Sequence, residues 1–181
     1  ADLAAVRRRE MAAAGRLLGA KLMHCNYTDG TLTDGPPQRR KLIQIFRSYL
    51  PTLVLAHDPQ DYHSDHRASS AICEAASWYC ASKGHKTRSP AMHSPPSVWW
   101  MDTVNMMGFE PGLYLDVSEY MDLKERMLNC HTSQMKRGKE TRFAPLVELM
   151  GLQCRARGAQ AGVLAAEAFR LHPAFKRVRA W

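Results

Sequence analysis

Ten consecutive residues, His57-Asp58-Pro59-Gln60-Asp61-Tyr62-His63-Ser64-Asp65-His66, hold three histidines and three carboxylates. Imidazole nitrogens and carboxylate oxygens are donors that divalent cations accept, and imidazole also carries protons near neutral pH. The His63-x-x-His66 spacing brings two imidazoles toward one point if the segment turns, and Asp65 between them can orient a ring nitrogen. The structural alternative is a polar turn in which Ser64 or Asp65 simply caps a following helix. His57 and Asp61, close by in the same run, favour a chemical role over that alternative.

Such a cluster needs elements to position it. Residues 52–57, TLVLAH, form a nearly continuous apolar run of strand length, the pattern of a strand buried on both faces. The cluster follows its carboxyl end, where open α/β sheets place their ligands. From His66 to about Ser82 the composition is helical. Upstream, Leu3, Val6, Met11, Ala14, Leu17 and Leu18 fall near helical spacing, with Gly19 at the C-cap position. Lys21–Tyr27 reads as a short strand stopped by Thr28-Asp29-Gly30, and Pro36-Pro37 opens a second helix that Pro51 ends. Helix, strand, helix, strand, loop, helix is the alternation of a parallel α/β sheet with crossover helices.

Farther on, a Pro-rich stretch from Ser89 to Pro96 precedes the aromatic segment SVWWMDT. Gly112–Ser118 then reads as a strand and Tyr120–Gln134 as a helix. Between Pro145 and Phe169 the glycines Gly151, Gly158 and Gly162 predict two short helices. No repeat, low-complexity tract or boundary interrupts the chain, so a single domain over residues 1–181 is expected.

At 181 residues, with 45% hydrophobic and 23% charged residues, the chain has the composition of an ordinary globular protein. No apolar run approaches the roughly 20 residues that span a bilayer. The cysteines Cys25, Cys73, Cys80, Cys130 and Cys154 include no Cys-x-x-Cys pair, which predicts reduced thiols in a cytoplasmic setting. The net charge of +8 is local: residues 135–181 carry ten Lys or Arg against three Asp or Glu. That tail has no recognition-helix or base-stacking signature, so no nucleic-acid partner is expected.

The order Asp61-x-His63-x-Asp65-His66, preceded by a buried strand and followed by Arg67-Ala68, resembles the second signature of the PIG-L/LmbE N-deacetylases. Other segments are similar in order and spacing: Arg7-x-x-Glu10, Ala13-Ala14, Leu18-Gly19, Asp29-Gly30, and Arg47 before Pro51. Tyr114–Ser118, Lys124 and His131-x-Ser133-Gln134 resemble the closing pattern. The resemblance implies an α/β, Rossmann-like, mostly parallel sheet with flanking helices. It also implies one Zn2+ held by two histidines and an aspartate, with His66 the second histidine ligand. In the same way, His63 would face the reacting carbonyl and Asp65 would orient a histidine. Arg7 would lie near the substrate, with a solvated helix charge as its other reading. For His131 a structural hydrogen bond is expected, and for Trp99 and Trp100 either sugar stacking or core packing.

The family's first signature, a His-Pro-Asp-Asp stretch that supplies the other metal ligands and a general base, is not found in these 181 residues. The nearest imitation, Ala56-His57-Asp58-Pro59, lies inside the second signature, which leaves His66 as the one secure ligand. Leu3 falls within a family element, so the expectation is a fragment lacking the first strand or strands; a degenerate, non-catalytic relative is the alternative. For the intact protein the resemblance implies hydrolysis of the acetamide of a small-molecule N-acetylglucosamine conjugate, to acetate and a free amine, in a possible homo-oligomer. A sugar-binding or regulatory remnant without zinc is the reading from another class.

Overall fold

The structure is a computed structural model that describes residues 2–135 and 145–174. Most of the basic tail, including Lys136, Arg137, Lys139, Arg142, Lys176, Arg177 and Arg179, lies outside the described residues. In chain order the elements are α1 (Leu3–Leu18), α2 (Pro36–Tyr49), β1 (Leu53–His57), α3 (Ser64–Tyr79), β2 (Ser97–Met101), β3 (Leu113–Asp116), a 3-10 turn (Ser118–Tyr120), α4 (Met121–Asn129), α5 (Leu146–Ala161) and β4 (Ala166–Leu171). The strands lie in the order β1-β2-β4-β3. The chain divides into two compact units: residues 1–26 with 114–167, and residues 27–113 with 168–181.

In the second unit β1 pairs with β2 in parallel, Leu53 opposite Ser97 and His57 opposite Met101. β2 pairs with β4 antiparallel, Trp100 opposite Arg170. The α/β class expected from the sequence is found, with a sheet that mixes both directions. Ile43 and Phe46 of α2 and Cys73, Ala76 and Cys80 at α3 pack with Ala56, Val98, Trp100, Phe109 and Ala168 into one core. Trp99 and Trp100 are both buried, so both serve packing.

Arg47 fixes α3 in place. Almost wholly buried, it donates to the carbonyls of Cys80 (2.9 Å), Ser82 (2.7 Å) and His85 (2.7 Å) and to the Thr87 hydroxyl (2.8 Å). These groups include carbonyls just past the C-terminus of α3, where a helix leaves acceptors unsatisfied and its dipole favours a cation.

The first unit has its own small core of Val117, Cys154 and Ala165, with Met121 and Met150 against it. Glu10 of α1, buried, accepts from the Thr132 hydroxyl (2.9 Å) and from the Ser133 N–H (2.7 Å) and hydroxyl (2.8 Å). Those bonds, the Ser133 N–H first among them, hold its carboxyl below the ordinary 4.5 against the opposing effect of burial; nearby His131 adds a smaller push.

Three expectations are corrected, and one unassigned segment finds its place. Lys21–Tyr27 is not a strand: every residue but Cys25 is exposed and Asn26 takes a left-handed φ of 55°, so no ladder forms along it. β1 is not buried on both faces: Leu53 and Leu55, which share one face of the strand, stay exposed. The stretch after Pro145 is one helix followed by a strand, not two helices. Gly158 lies inside α5 because a Cβ there would come within 2.8 Å of the Leu164 and Ala165 backbone; Gly162, at φ 75°, forms the C-cap. The aromatic segment SVWWMDT, left unassigned by its composition, supplies β2.

Gly158→Ala should therefore lower stability by roughly 1–3 kcal/mol, read as a shift in the denaturation midpoint. Glu10 binds its proton less tightly in the folded chain than in the unfolded one. Its contribution is then complete above pH 4.5 and fades as pH falls through the lower folded value. Glu10→Gln should be less stable than the parent chain at neutral pH, and the gap should narrow in urea titrations carried down to about pH 3.

Candidate metal centre

β1 ends at His57 and α3 begins at Ser64, and the turn between them is closed by its own side chains. Asp58, 1% exposed, accepts from the Gln60 N–H (2.8 Å), and its carbonyl accepts from the Asp61 N–H (3.1 Å). Its other carboxylate oxygen takes Arg170 Nη2 at 2.5 Å. Asp61, also buried, accepts from the His63 N–H at 2.9 Å. Arg67, from the first turn of α3, reaches back to the carbonyls of Asp61 (2.7 Å) and Tyr62 (2.9 Å).

The N-cap of α3 is His63, not Ser64 or Asp65. Its backbone is extended and its Nδ1 accepts from the Asp65 N–H at 3.1 Å. In the neutral ring the proton then resides on Nε2, which leaves an outward donor. The Asp65 carboxylate points elsewhere, accepting from the N–H groups of Gly30 (2.7 Å) and Leu32 (3.2 Å). Asp65 thus orients His63 through its backbone and straps the 30–32 turn to α3 through its side chain.

Three imidazoles stack at this end of the sheet. His57 and His66 lie 3.9 Å apart between ring centroids and within 7° of parallel; His63 lies 4.7 Å from His66. Burial first, then the neighbouring His66, pushes the pKa of His57 down, so its ring stays neutral with a lone pair available. Asp61 Oδ1 lies 3.1 Å from His66 Nδ1, close enough for an ion pair. No hydrogen bond joins the two atoms, however, and the buried Nδ1 makes none among the described residues.

A buried nitrogen beside a carboxylate, with no hydrogen bond between them, is what a cation position leaves in a protein without its ion. One donor atom each from His57, Asp61 and His66 lies within 4.8 Å of the others. Ligand atoms on tetrahedral zinc sit roughly 3.4 Å apart, and two imidazoles with one carboxylate make a common catalytic set. The residues therefore fit a zinc ion. Sequence reasoning counted one secure ligand, His66; the structure gathers His57 and Asp61 beside it, with His63 alongside. Arg7 lies half-buried on α1 in the first unit. Asp58 belongs to the cluster read from the sequence, but its partner Arg170 does not, since no local signal ties positions so far apart.

This α/β fold is one that known deacetylases and hydratases share. Residues 1–77 match the family model described as PIG-L: GlcNAc-PI de-N-acetylase, so the resemblance read from the sequence is borne out. Among curated proteins the chain is 25% identical over 181 residues to diacetylchitobiose deacetylase of Thermococcus kodakarensis, covering 95% of the chain and 64% of that protein. It is 24% identical over 130 residues to 4-oxalmesaconate hydratase of Pseudomonas putida, covering 71% of the chain and 50% of that protein. The chain thus spans between half and two thirds of the length of these relatives.

Among solved structures, a conserved protein of Thermus thermophilus matches with a TM-score of 0.79 at 27% identity, over 94% of this chain and 74% of that one. N,N'-diacetylchitobiose deacetylase of Pyrococcus horikoshii, solved with an inhibitor, matches with a TM-score of 0.79 at 25% identity, over 95% and 65%. The 4-carboxy-2-hydroxymuconate hydratase of Pseudomonas putida shares the fold at a TM-score of 0.75 and 20% identity, over 97% and 75%.

Asp65→Ala should release the strapped turn without unpicking the helix cap. Amide exchange at Gly30 and Leu32 should speed up by about tenfold or more, while the Asp65-position amide, still held by His63, keeps its protection.

Proposed function

We propose that this chain belongs to an enzyme that hydrolyses the acetamide of a small-molecule N-acetylglucosamine conjugate, releasing acetate and a free amine, with Zn2+ as its cofactor. The observation that carries the reading is the convergence of His57, Asp61 and His66, with His63 beside them, at the end of β1. His66 would hold the ion with His57 and Asp61, and any ligand from outside these 181 residues would add to that set. When bound, zinc supplies Lewis acidity to the amide carbonyl.

The chain's own groups have distinct tasks. His57, kept neutral by burial, offers a lone pair where a protonated ring would repel the cation. His63, its Nδ1 occupied by the Asp65 N–H, presents Nε2–H as a donor for the oxyanion of the tetrahedral intermediate. Asp65 holds that ring through its backbone. Arg7 is proposed to contact the substrate, on the family resemblance alone. The relatives include a deacetylase and hydratases, and the family description and the His-rich set favour amide hydrolysis.

In the intact protein His66→Ala should abolish zinc retention and acetate release together. His63→Ala should keep its zinc and lose about 100- to 1,000-fold in kcat, the usual cost of one oxyanion donor. Zinc content by elemental analysis and acetate release from N,N'-diacetylchitobiose and from N-acetylglucosamine conjugates read these outcomes. Full activity of His66→Ala would remove it from the site, and hydration of an unsaturated dicarboxylic acid without acetate release would replace the deacetylase reading.

A further inference from the structure

Asp58 stands next to His57 and three residues before Asp61, yet it is not one of the converging donors. Its side chain is 1% exposed, and burying a carboxylate is costly unless it is paired and hydrogen-bonded. That partner is Arg170 of β4, at 2.5 Å through Nη2, with the guanidinium also lying over the Phe109 ring at 5.8 Å. Arg170 sits opposite Trp100 on β2, and β2 in turn pairs with β1. The tether thus runs from one strand, across its neighbour, to the turn that follows β1.

We infer that Arg170 is a positioning residue for the metal centre: through Asp58 it sets the turn that brings His57 and Asp61 to His66. The inference rests on the proposal that these residues hold zinc. Three acceptor sites of Asp58 act on the turn at once. One carboxylate oxygen takes the Gln60 N–H, the other takes Arg170, and the main-chain carbonyl takes the Asp61 N–H. Rotating the Asp58 carboxylate away from Arg170 moves its Gln60 bond as well, and with it the backbone that aims Asp61. The Arg170–Asp58 contact uses a single nitrogen, and Arg170 Nε makes no hydrogen bond among the described residues. Charge and one donor are therefore what the position requires, and lysine can supply both.

The test is Co2+ titration of the purified intact protein, read by its visible d–d spectrum, which reports ligand geometry, with zinc competition giving affinity. Arg170→Met should weaken metal binding by about 10- to 100-fold, the range for groups that orient metal ligands, and should alter the cobalt spectrum. Arg170→Lys should stay close to the parent in both. If Arg170→Met fails to fold, Asp58→Asn/Arg170→Met removes the unpaired buried charge and should show the same loss. Parental affinity and spectrum in Arg170→Met, or in that double variant, would overturn the inference while leaving the metal site intact. An intact parent protein that binds neither Co2+ nor Zn2+ would overturn the metal reading and this one with it.

Discussion

Imidazole rings stacked face to face repel one another once more than one is protonated, and the end of β1 is organised around that constraint. His57, His66 and His63 lie with centroid separations of 3.9 and 4.7 Å between neighbours. Burial disfavours the charged form of His57, and Asp61, 3% exposed, supplies one negative charge at the edge of the stack. Such a stack is electrostatically at ease when its rings are neutral, with the lone pairs of His57 and His66 open to a cation and that of His63 held by the Asp65 N–H. The arrangement costs the fold little if an ion is present, and more if protons take its place.

The scaffold holds this group by opposite means at the two ends of α3. At the N-terminus the helix is capped by one of the site's own histidines, so cap and site share an atom, His63 Nδ1. At the C-terminus Arg47 gathers backbone carbonyls of the 80–85 segment. The Asp65 carboxylate adds a third anchor by fastening the Gly30–Leu32 turn. Very little of this is hydrophobic. The packed core of Ile43, Phe46, Val98 and Trp100 sets where the elements lie, and polar contacts to backbone set the angles of the functional side chains.

The parts of this arrangement that were legible in the sequence share one property: they are local. Helical spacing with Gly19 gave α1, Pro36-Pro37 and Pro51 bracketed α2, and the density of His and Asp after an apolar strand located the site. The resemblance singled out His63, Asp65 and His66, which do lie together, although Asp65 reaches the 30–32 turn with its side chain. What was not legible depended on partners far along the chain. Strand β4 is a six-residue AEAFRL segment that reads as helix until β2 gives it a ladder. Gly158 looks like a helix breaker until the Ala165 backbone comes against it. Glu10 with Ser133 and Asp58 with Arg170 are each more than a hundred residues apart.

The Arg47 cage has a consequence for how the molecule comes apart. A guanidinium bound to carbonyl oxygens has no titrating partner in those bonds, so acid leaves that junction untouched. The Glu10 carboxylate, by contrast, loses its bonds to Thr132 and Ser133 once acid protonates it. Acidification should therefore release the Glu10 anchor of α1 before the joint between α2 and α3. A sample acidified far enough to loosen α1 would still hold α2 and α3 together.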